Sequence, residues 1–102
     1  MESSYSLAAI KQLMTGGQYL ITVTALETAT LMGFDTESIV ECVVEQLAET
    51  HFYKTMPAIA VPGRMQDVYK LSFEGQRVYL KLQINQSDTA VVISFKPDES
   101  GP

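Results

Sequence analysis

The sequence is poor in the residues that build covalent cross-links and many metal sites. Among 102 residues it has one cysteine, Cys42, and one histidine, His51. A single cysteine excludes an intramolecular disulfide and a zinc site built from several cysteines. No apolar run approaches the roughly 18 residues that a membrane-spanning helix requires. The N-terminus also lacks a basic segment followed by an apolar one, so we expect no signal peptide, no membrane partner and a cytoplasmic location.

Familiar catalytic and cofactor-binding motifs are absent as well. The sequence has no phosphate-binding glycine loop, no GxSxG pattern and no HExxH pattern, and we predict neither a cofactor nor a metal site. His51 stands beside Phe52 and Tyr53 and is more typical of a structural histidine than of a catalyst. Acidic neighbours disfavour a thiolate at Cys42, which we place off the apolar stripe of its helix and do not expect to be a nucleophile.

Charge is unevenly distributed along the chain, although the net charge is only -5. Residues 1–51 carry one basic and seven acidic side chains, a net charge of -6. Residues 52–97 carry six basic and three acidic side chains, a net charge of +3. Such asymmetry can mark an interaction surface. Charge alone favours the simpler alternative of an ordinary domain with a solvated acidic helix, because excess acidic residues chiefly serve solubility.

The first half of the chain has helical periodicity. Ser6 is expected to cap a first helix that ends at Gly16-Gly17, and Gln18–Val23 is expected to form a short strand. A capping box from Thr24 to Glu27 predicts the start of a second helix. A third helix is predicted from Asp35 or Thr36, with an apolar stripe and a separate acidic ridge. The stripe is Ile39, Val40, Val43, Val44 and Leu47, and the ridge is Glu37, Glu41, Glu45 and Glu49.

The second half alternates between apolar and polar residues, as the strands of a half-buried sheet do. The predicted strands lie near His51–Met56 and at Met65–Phe73, Arg77–Asn85 and Thr89–Phe95. Glu74-Gly75 predicts a hairpin turn, and Pro57–Arg64 reads as a loop. Pro97 should end the last strand, and residues 98–102 should fray. The prediction is a single α+β domain over residues 1–102, with N-terminal helices packed on one face of a mainly antiparallel sheet.

The other face of this sheet carries polar residues that suit the cleavage of RNA without a metal ion. Lys54, Gln66, Tyr79 and Lys96 lie on or beside its strands, and Lys81 shares the face of Tyr79. When the 2′-hydroxyl attacks the adjacent phosphorus, lysines can stabilise the developing charge. A tyrosine can exchange a proton if neighbouring lysines lower its pKa from about 10, and an amide can orient the phosphate or a base. Composition and spacing alone favour the simpler alternative that this polar face meets only water.

Four short motifs occur in order along this half of the chain. They are His51-Phe52-Tyr53-Lys54-Thr55-Met56, Gln66-Asp67-Val68-Tyr69, Val78-Tyr79-Leu80-Lys81 and Ile93-Ser94-Phe95-Lys96. In order, spacing and total length, the chain resembles the MqsR family, the motility quorum-sensing regulator toxins of bacterial type II toxin–antitoxin pairs. The resemblance covers nearly the whole chain.

The resemblance implies a RelE-like fold and a toxin that inhibits translation and growth. Such a toxin is an endoribonuclease that cuts mRNA with a sequence preference and independently of the ribosome. The catalytic positions that it implies are Lys54, Gln66, Tyr79 and Lys96. Further RNA contacts are expected from Lys81, Arg64 and Lys70. It also implies a cognate antitoxin protein that binds zinc and DNA.

Two features depart from the family pattern. The chain is net acidic, although affinity for phosphates grows with the number of cationic contacts. Met65 stands where the family leads us to expect an aromatic residue, which removes a stacking platform worth about 1–3 kcal/mol per base. We therefore expect weaker RNA binding, an altered sequence preference or attenuated activity. The alternative functions are a catalytically silent protein-interaction module and an RNA binder that does not cleave.

Overall fold

The computed structural model describes residues 2–99, and the chain is an α+β protein as predicted. Three helices and a mostly antiparallel sheet of five strands follow one another along it. The helices are α1 (Leu7–Thr15), α2 (Val23–Leu31) and α3 (Thr36–Glu41). The strands are β1 (Tyr19–Ile21), β2 (Phe52–Pro57), β3 (Met65–Phe73), β4 (Gln76–Ile84) and β5 (Ala90–Pro97). Within the described residues, no helix has the length and apolar character needed to cross a membrane.

The strand order across the sheet is β1-β5-β4-β3-β2. β1 runs parallel to β5, and every other neighbouring pair is antiparallel. The predicted hairpin between β3 and β4 is confirmed, and both turn residues, Glu74 and Gly75, have positive φ angles of 51° and 77°. Two positive φ angles are what a type I′ turn requires, and that turn matches the twist of the strands it joins.

One cluster of buried side chains joins the helices to the inner face of the sheet. Its members from α1 and α2 are Leu7, Ile10, Met14, Ala25 and Ala29, and those from β3 and β4 are Tyr69, Leu71, Phe73, Val78, Leu80 and Leu82. Because strand residues alternate between faces, burying this set turns the intervening residues of β3 and β4 outward. We call that outward side, defined by Gln66 and Lys70 on β3 and by Tyr79, Lys81 and Gln83 on β4, the open face.

The start of the second helix differs from the prediction. Thr22, not Thr24, is the N-cap, and its hydroxyl accepts a hydrogen bond from the backbone N–H of Ala25 at 3.0 Å. The predicted capping box at Thr24 is therefore wrong. Thr22 also donates its hydroxyl hydrogen to the carbonyl of Ile93 in β5 at 3.0 Å. This contact ties the cap to the sheet, so β1 ends at Ile21 and not at Val23.

The placement of Cys42 among the solvent-exposed glutamates is also wrong, because its side chain is fully buried. It follows Ile39 by three residues and so lies on the same helix face, and α3 gives way there to a π-helical turn over Cys42–Gln46. In that turn the backbone N–H of Leu47 bonds to the carbonyl of Cys42 at 2.9 Å. The ammonium group of Lys11 donates to the carbonyls of Val44 and Leu47, which satisfies acceptors at the end of the turn.

The predicted fraying after Pro97 does not begin at Asp98. The Asp98 carboxylate forms salt bridges with Lys70 and Arg77, and its side chain is only 4% exposed. Its backbone N–H donates to the carbonyl of Arg77 at 3.0 Å. These partners lie on β3 and β4, which the sheet brings to the end of β5. The last three residues of the predicted tail, 100–102, lie outside the described residues.

Candidate active site

Strand register places the four predicted catalytic residues on the open face. Tyr79 lies opposite Lys96 on β5 and opposite Lys70 on β3. Lys81 lies opposite Val68, which in turn lies opposite Lys54 on β2. Gln66 joins this face one step further along β3, where its Nε2 atom is 3.5 Å from the Oε1 atom of Gln83. The four residues are therefore spread over four adjacent strands, with neighbouring strands about 4.8 Å apart.

A bulge in β5 decides which of its residues reach the open face. Lys81 pairs with Ser94 whereas Leu82 pairs with Val92, so Ile93 is the extra residue. One extra residue reverses the alternation beyond it. Ser94 and Lys96 therefore share the face of Lys81. Strict alternation back from Ser94 would put Val92 on that same face, but Val92 is fully buried in the core.

Two lysines lie beside the Tyr79 ring, and a third, Lys54, acts on one of them. The Lys96 Nζ atom is 4.8 Å from the ring centroid and the Lys81 Nζ atom is 5.9 Å from it. Burial lowers the pKa of the Lys81 ammonium group, and the neighbouring charges of Lys96 and Lys54 lower it further. Lys54 and Lys96 are thus both close enough to Lys81 to act on its charge, and we call these three residues the lysine cluster.

The phenol of Tyr79 behaves differently from the sequence-based hypothesis that lysines would lower its pKa. Burial raises the pKa of Tyr79, with smaller contributions from Tyr53 and from the Asp98 carboxylate. Loss of hydration disfavours the phenolate more than the nearby cations favour it. Tyr79 is therefore protonated near neutral pH and presents an O–H donor, not a phenolate base, to the open face.

Tyr53 is a site residue that sequence reasoning missed, although it lies inside a motif that was identified. The register between β2 and β3 shifts between Phe52 and Lys54, so Tyr53 occupies a bulge. The residue is 54% exposed. The Lys70 Nζ atom lies 3.9 Å from its ring centroid and the Lys54 Nζ atom 5.6 Å from it. The only signal in the sequence is an aromatic residue next to a lysine in a strand. The bulge that exposes Tyr53 has no recognisable signature in the sequence.

Met65 lies on the side of β3 that points away from the open face, so an aromatic residue in its place would not contribute to that face. By alternation along β3 it lies on the side of Asp67, opposite to Gln66. Its backbone carbonyl accepts a hydrogen bond from the Tyr5 hydroxyl at 2.6 Å. The inference that Met65 removes a stacking platform from the open face therefore has no basis in its position. Tyr53 presents an aromatic ring on that face instead.

The three predicted RNA-contacting residues have different surroundings. Lys81 belongs to the lysine cluster. Lys70 contacts the Tyr53 ring and forms a salt bridge with Asp98, with 3.5 Å between Nζ and Oδ1. Arg64 lies at the other end of the open face, where its Nη1 atom donates to the carbonyl of Ile84 at 3.1 Å. It borders a cavity of about 320 Å³ together with Gln83.

The two residues considered for nucleophilic or acid–base chemistry have structural surroundings. The Nδ1 atom of His51 accepts a hydrogen bond from the backbone N–H of Ala48 at 3.0 Å, which closes a 3₁₀ turn before β2. Burial raises the pKa of the Cys42 thiol to about 12, and the Glu41 carboxylate adds to the shift. A thiol with such a pKa is protonated and unreactive at neutral pH.

Comparison with known proteins agrees with the resemblance drawn from the four motifs. Residues 2–97 match the family described as motility quorum-sensing regulator, toxin of MqsA. A protein of Escherichia coli (strain K12) named mRNA interferase toxin MqsR is 31% identical to this chain over 90 residues. The aligned part covers 88% of this chain and 89% of the relative. The chain therefore belongs to the motility quorum-sensing regulator (MqsR) family of toxins.

Proposed function

We propose that this protein is a toxin that acts as an mRNA endoribonuclease independently of the ribosome and of metal ions. The observation that carries the proposal is the lysine cluster around a protonated tyrosine on the open face of the sheet. Cleavage of RNA through its own 2′-hydroxyl requires cations around a doubly charged phosphorane, a proton acceptor and a proton donor. The name of the Escherichia coli relative, an mRNA interferase toxin, supports the same substrate.

In the proposed reaction the 2′-oxygen forms a bond to the adjacent phosphorus while the bond from phosphorus to the 5′-oxygen breaks. The products are a 2′,3′-cyclic phosphate and a 5′-hydroxyl. Lys81 accepts the proton of the 2′-hydroxyl in the fraction of molecules in which its amine is neutral, a fraction that the lowered pKa increases. Tyr79 donates its hydroxyl proton to the 5′-oxygen, which leaves as the 5′-hydroxyl, and the proton taken up by Lys81 restores Tyr79 after the products leave. Lys54 and Lys96 stabilise the phosphorane charge.

Gln66 and Tyr53 are proposed to position the substrate on either side of this centre. Gln66 offers an amide that can read a base edge or orient a phosphate. Tyr53 offers an exposed ring on which a base can stack, with Lys70 against it, and such stacking tolerates any base. A preference for particular sequences would then come from Gln66 and from the Arg64 end of the face.

Three finer properties belong to the same proposal. The fold is RelE-like, with its helices on one side of the sheet and RNA on the other. A cognate antitoxin protein that binds zinc and DNA neutralises the toxin. Cleavage of mRNA by the free toxin then inhibits translation and growth.

The test is to incubate the purified protein with a long labelled mRNA in EDTA, without ribosomes, beside a Tyr79→Phe variant. We expect discrete cleavage products with 2′,3′-cyclic phosphate ends from the wild type, and a rate lower by about 10²–10³-fold in the variant, the usual cost of one lost donor to a developing charge. Products that need added metal or ribosomes would contradict the corresponding part of the proposal. Intact RNA bound by a folded wild type would favour an RNA binder that does not cleave.

A further inference from the structure

The end of β5 places a buried carboxylate between two cations at the border of the candidate active site. The Asp98 Oδ1 atom is 3.5 Å from the Lys70 Nζ atom, and its Oδ2 atom is 3.7 Å from the Arg77 Nη2 atom. One anion therefore bridges an ammonium group and a guanidinium group. Lysine and arginine bind phosphate oxygens through the same charge-assisted contacts.

This ion group borders a cavity that also reaches the proposed reaction centre. The cavity has a volume of about 410 Å³ and is lined by Thr28, Lys70, Tyr79, Lys96, Pro97, Asp98 and Glu99. Its volume lies within the range of small-ligand sites. Lys70 faces Tyr79 directly across one pair of strands, a separation of about 4.8 Å. Lys70 is thus one strand away from Tyr79, and Arg77 is two residues from Tyr79 along β4, so both cations lie close to the place where the scissile phosphate is proposed to bind.

We propose that Lys70 and Arg77 form a second phosphate-binding subsite for the RNA backbone, and that Asp98 fills it in the free protein as an intramolecular competitor. The inference rests on the proposed function, because it takes the scissile phosphate to lie beside Tyr79 and Lys96. A phosphate can approach from Arg77, whose side chain is 55% exposed and whose ion pair with Asp98 contributes little free energy. The pair of Asp98 with Lys70 is nearly buried, so a phosphate that displaces Asp98 must take over the charge pairing with Lys70. The carboxylate lowers RNA affinity because a phosphate must displace it before binding both cations.

A purely structural role for Asp98 makes the opposite prediction. If the carboxylate only anchors the end of β5, its removal weakens the fold and leaves no vacant site for an anion. If it is a competitor, its removal lets the subsite bind phosphate.

The test compares Asp98→Asn with the wild type and with Glu99→Gln. Glu99 borders the same cavity, is exposed and takes part in neither salt bridge, so its variant matches the change in net charge. Thermal unfolding is measured with increasing inorganic phosphate at constant ionic strength. We expect phosphate to raise the melting temperature of Asp98→Asn more than those of the other two proteins, because the vacated subsite adds to any phosphate binding at the lysine cluster and a ligand bound only by the folded state stabilises it.

Binding of a labelled 2′-O-methyl oligonucleotide, which lacks the attacking hydroxyl, gives the second readout. For single strands each phosphate contact adds about 0.7 to the magnitude of the slope of log K against log salt concentration. We expect Asp98→Asn to bind more tightly and with a slope steeper by about 0.7–1.4, for one or two added contacts. Glu99→Gln should keep the wild-type slope.

The outcomes separate the inference from the proposed function. A phosphate response in Asp98→Asn that exceeds that of the wild type, and whose excess disappears when Lys70→Gln is added, supports the subsite even if the wild type cleaves no RNA. Unchanged phosphate response and slope in Asp98→Asn, with cleavage by the wild type intact, overturn the subsite and leave the nuclease standing. If Asn at this position prevents folding, Asp98→Ser, which keeps the backbone hydrogen bond to Arg77, decides by the same criteria.

Discussion

The lysine cluster predicts how strongly RNA binding depends on salt. Both salt bridges in the described part of the chain use Asp98 and none of the three cluster lysines. Three phosphate contacts on single-stranded RNA give a slope of about -2.1 for log K against log salt concentration. Raising the salt from 50 to 200 mM should then weaken wild-type binding about 20-fold.

Removing one lysine of the cluster should reduce the salt dependence of RNA binding by the contribution of one phosphate contact, about 0.7 in slope. Lys54→Gln leaves two contacts, a slope of about -1.4, and a loss of only about sevenfold over the same salt range. The assay is fluorescence anisotropy with a labelled 2′-O-methyl oligonucleotide, so that binding is read without cleavage. Circular dichroism establishes that each variant is folded.

Lys11→Gln is the matched control for Lys54→Gln. It lowers the net charge by the same amount, but Lys11 lies on α1, where it donates to carbonyls at the end of the π-helical turn. We expect its slope to equal that of the wild type. Equal slopes for the two variants would mean that only overall charge matters, and a wild-type slope near zero would refute phosphate binding by the lysine cluster.

Three further predictions follow from single groups. Lys81→Arg keeps the positive charge but cannot accept a proton. We expect RNA affinity to be retained, whereas single-turnover cleavage should fall by about 10²–10⁴-fold and should no longer rise with pH. Unchanged cleavage would exclude Lys81 as the base. Tyr53→Ala should weaken oligonucleotide binding by about 5- to 150-fold, the range for the loss of one stacked base. Tyr53→Phe keeps the ring and should bind like the wild type. Equal losses of affinity in the two variants would argue against stacking. Because the Cys42 pKa is raised from 9.0 to about 12 in the folded state, only the unfolded state loses this proton as pH rises from 9 to 12, and stability falls. Between pH 8 and pH 10, the free energy of unfolding measured with urea should fall by about 1.4 kcal/mol more in the wild type than in Cys42→Ala. An equal fall in the two proteins would mean that the thiol is in contact with water.

The strands of the second half of the chain could be predicted because their signals, alternation and turn residues, are local to the sequence. Apolar residues at Val78, Leu80 and Leu82 alternate with polar ones, and Glu74-Gly75 marks the turn that sets the register of β3 against β4. Alternation and turn chemistry are local properties of the sequence. The faces of Gln66, Tyr79 and Lys81 follow from them without further information.

The bulges could not be predicted by the same reasoning. A bulge inserts one residue without changing composition, yet it reverses every side chain beyond it. The bulge at Ile93 moves Val92 into the core, and the bulge at Tyr53 exposes an aromatic ring beside Lys54. The lysines Lys54 and Lys96, which follow these bulges, were selected by their likeness to a family and not by alternation.

The pKa of Tyr79 shows why the composition of a site does not fix its chemistry. Lysines lie within 6 Å of its ring, and from the sequence alone their charge was the argument for a lowered pKa. Burial acts in the opposite direction and dominates in the folded protein. Burial also lowers the pKa of Lys81, and the proposed mechanism therefore uses Lys81 as the proton acceptor and Tyr79 as the donor, roles that the sequence alone left unassigned.

The net charge of the chain is a poor guide to its affinity for RNA, because charges act over short distances. At physiological ionic strength the interaction between exposed charges is screened beyond about 8 Å. The exposed glutamates Glu37, Glu41 and Glu45 line a groove with Met14 and Tyr19 on the helical side, whereas the lysine cluster lies on the open face of the sheet. The acidic carboxylate that matters most for the site is therefore Asp98, which contacts Lys70 directly and acts on Tyr79. An acidic chain can in this way carry a basic surface, and we propose that Asp98, directly after β5, lowers the affinity of that surface for RNA.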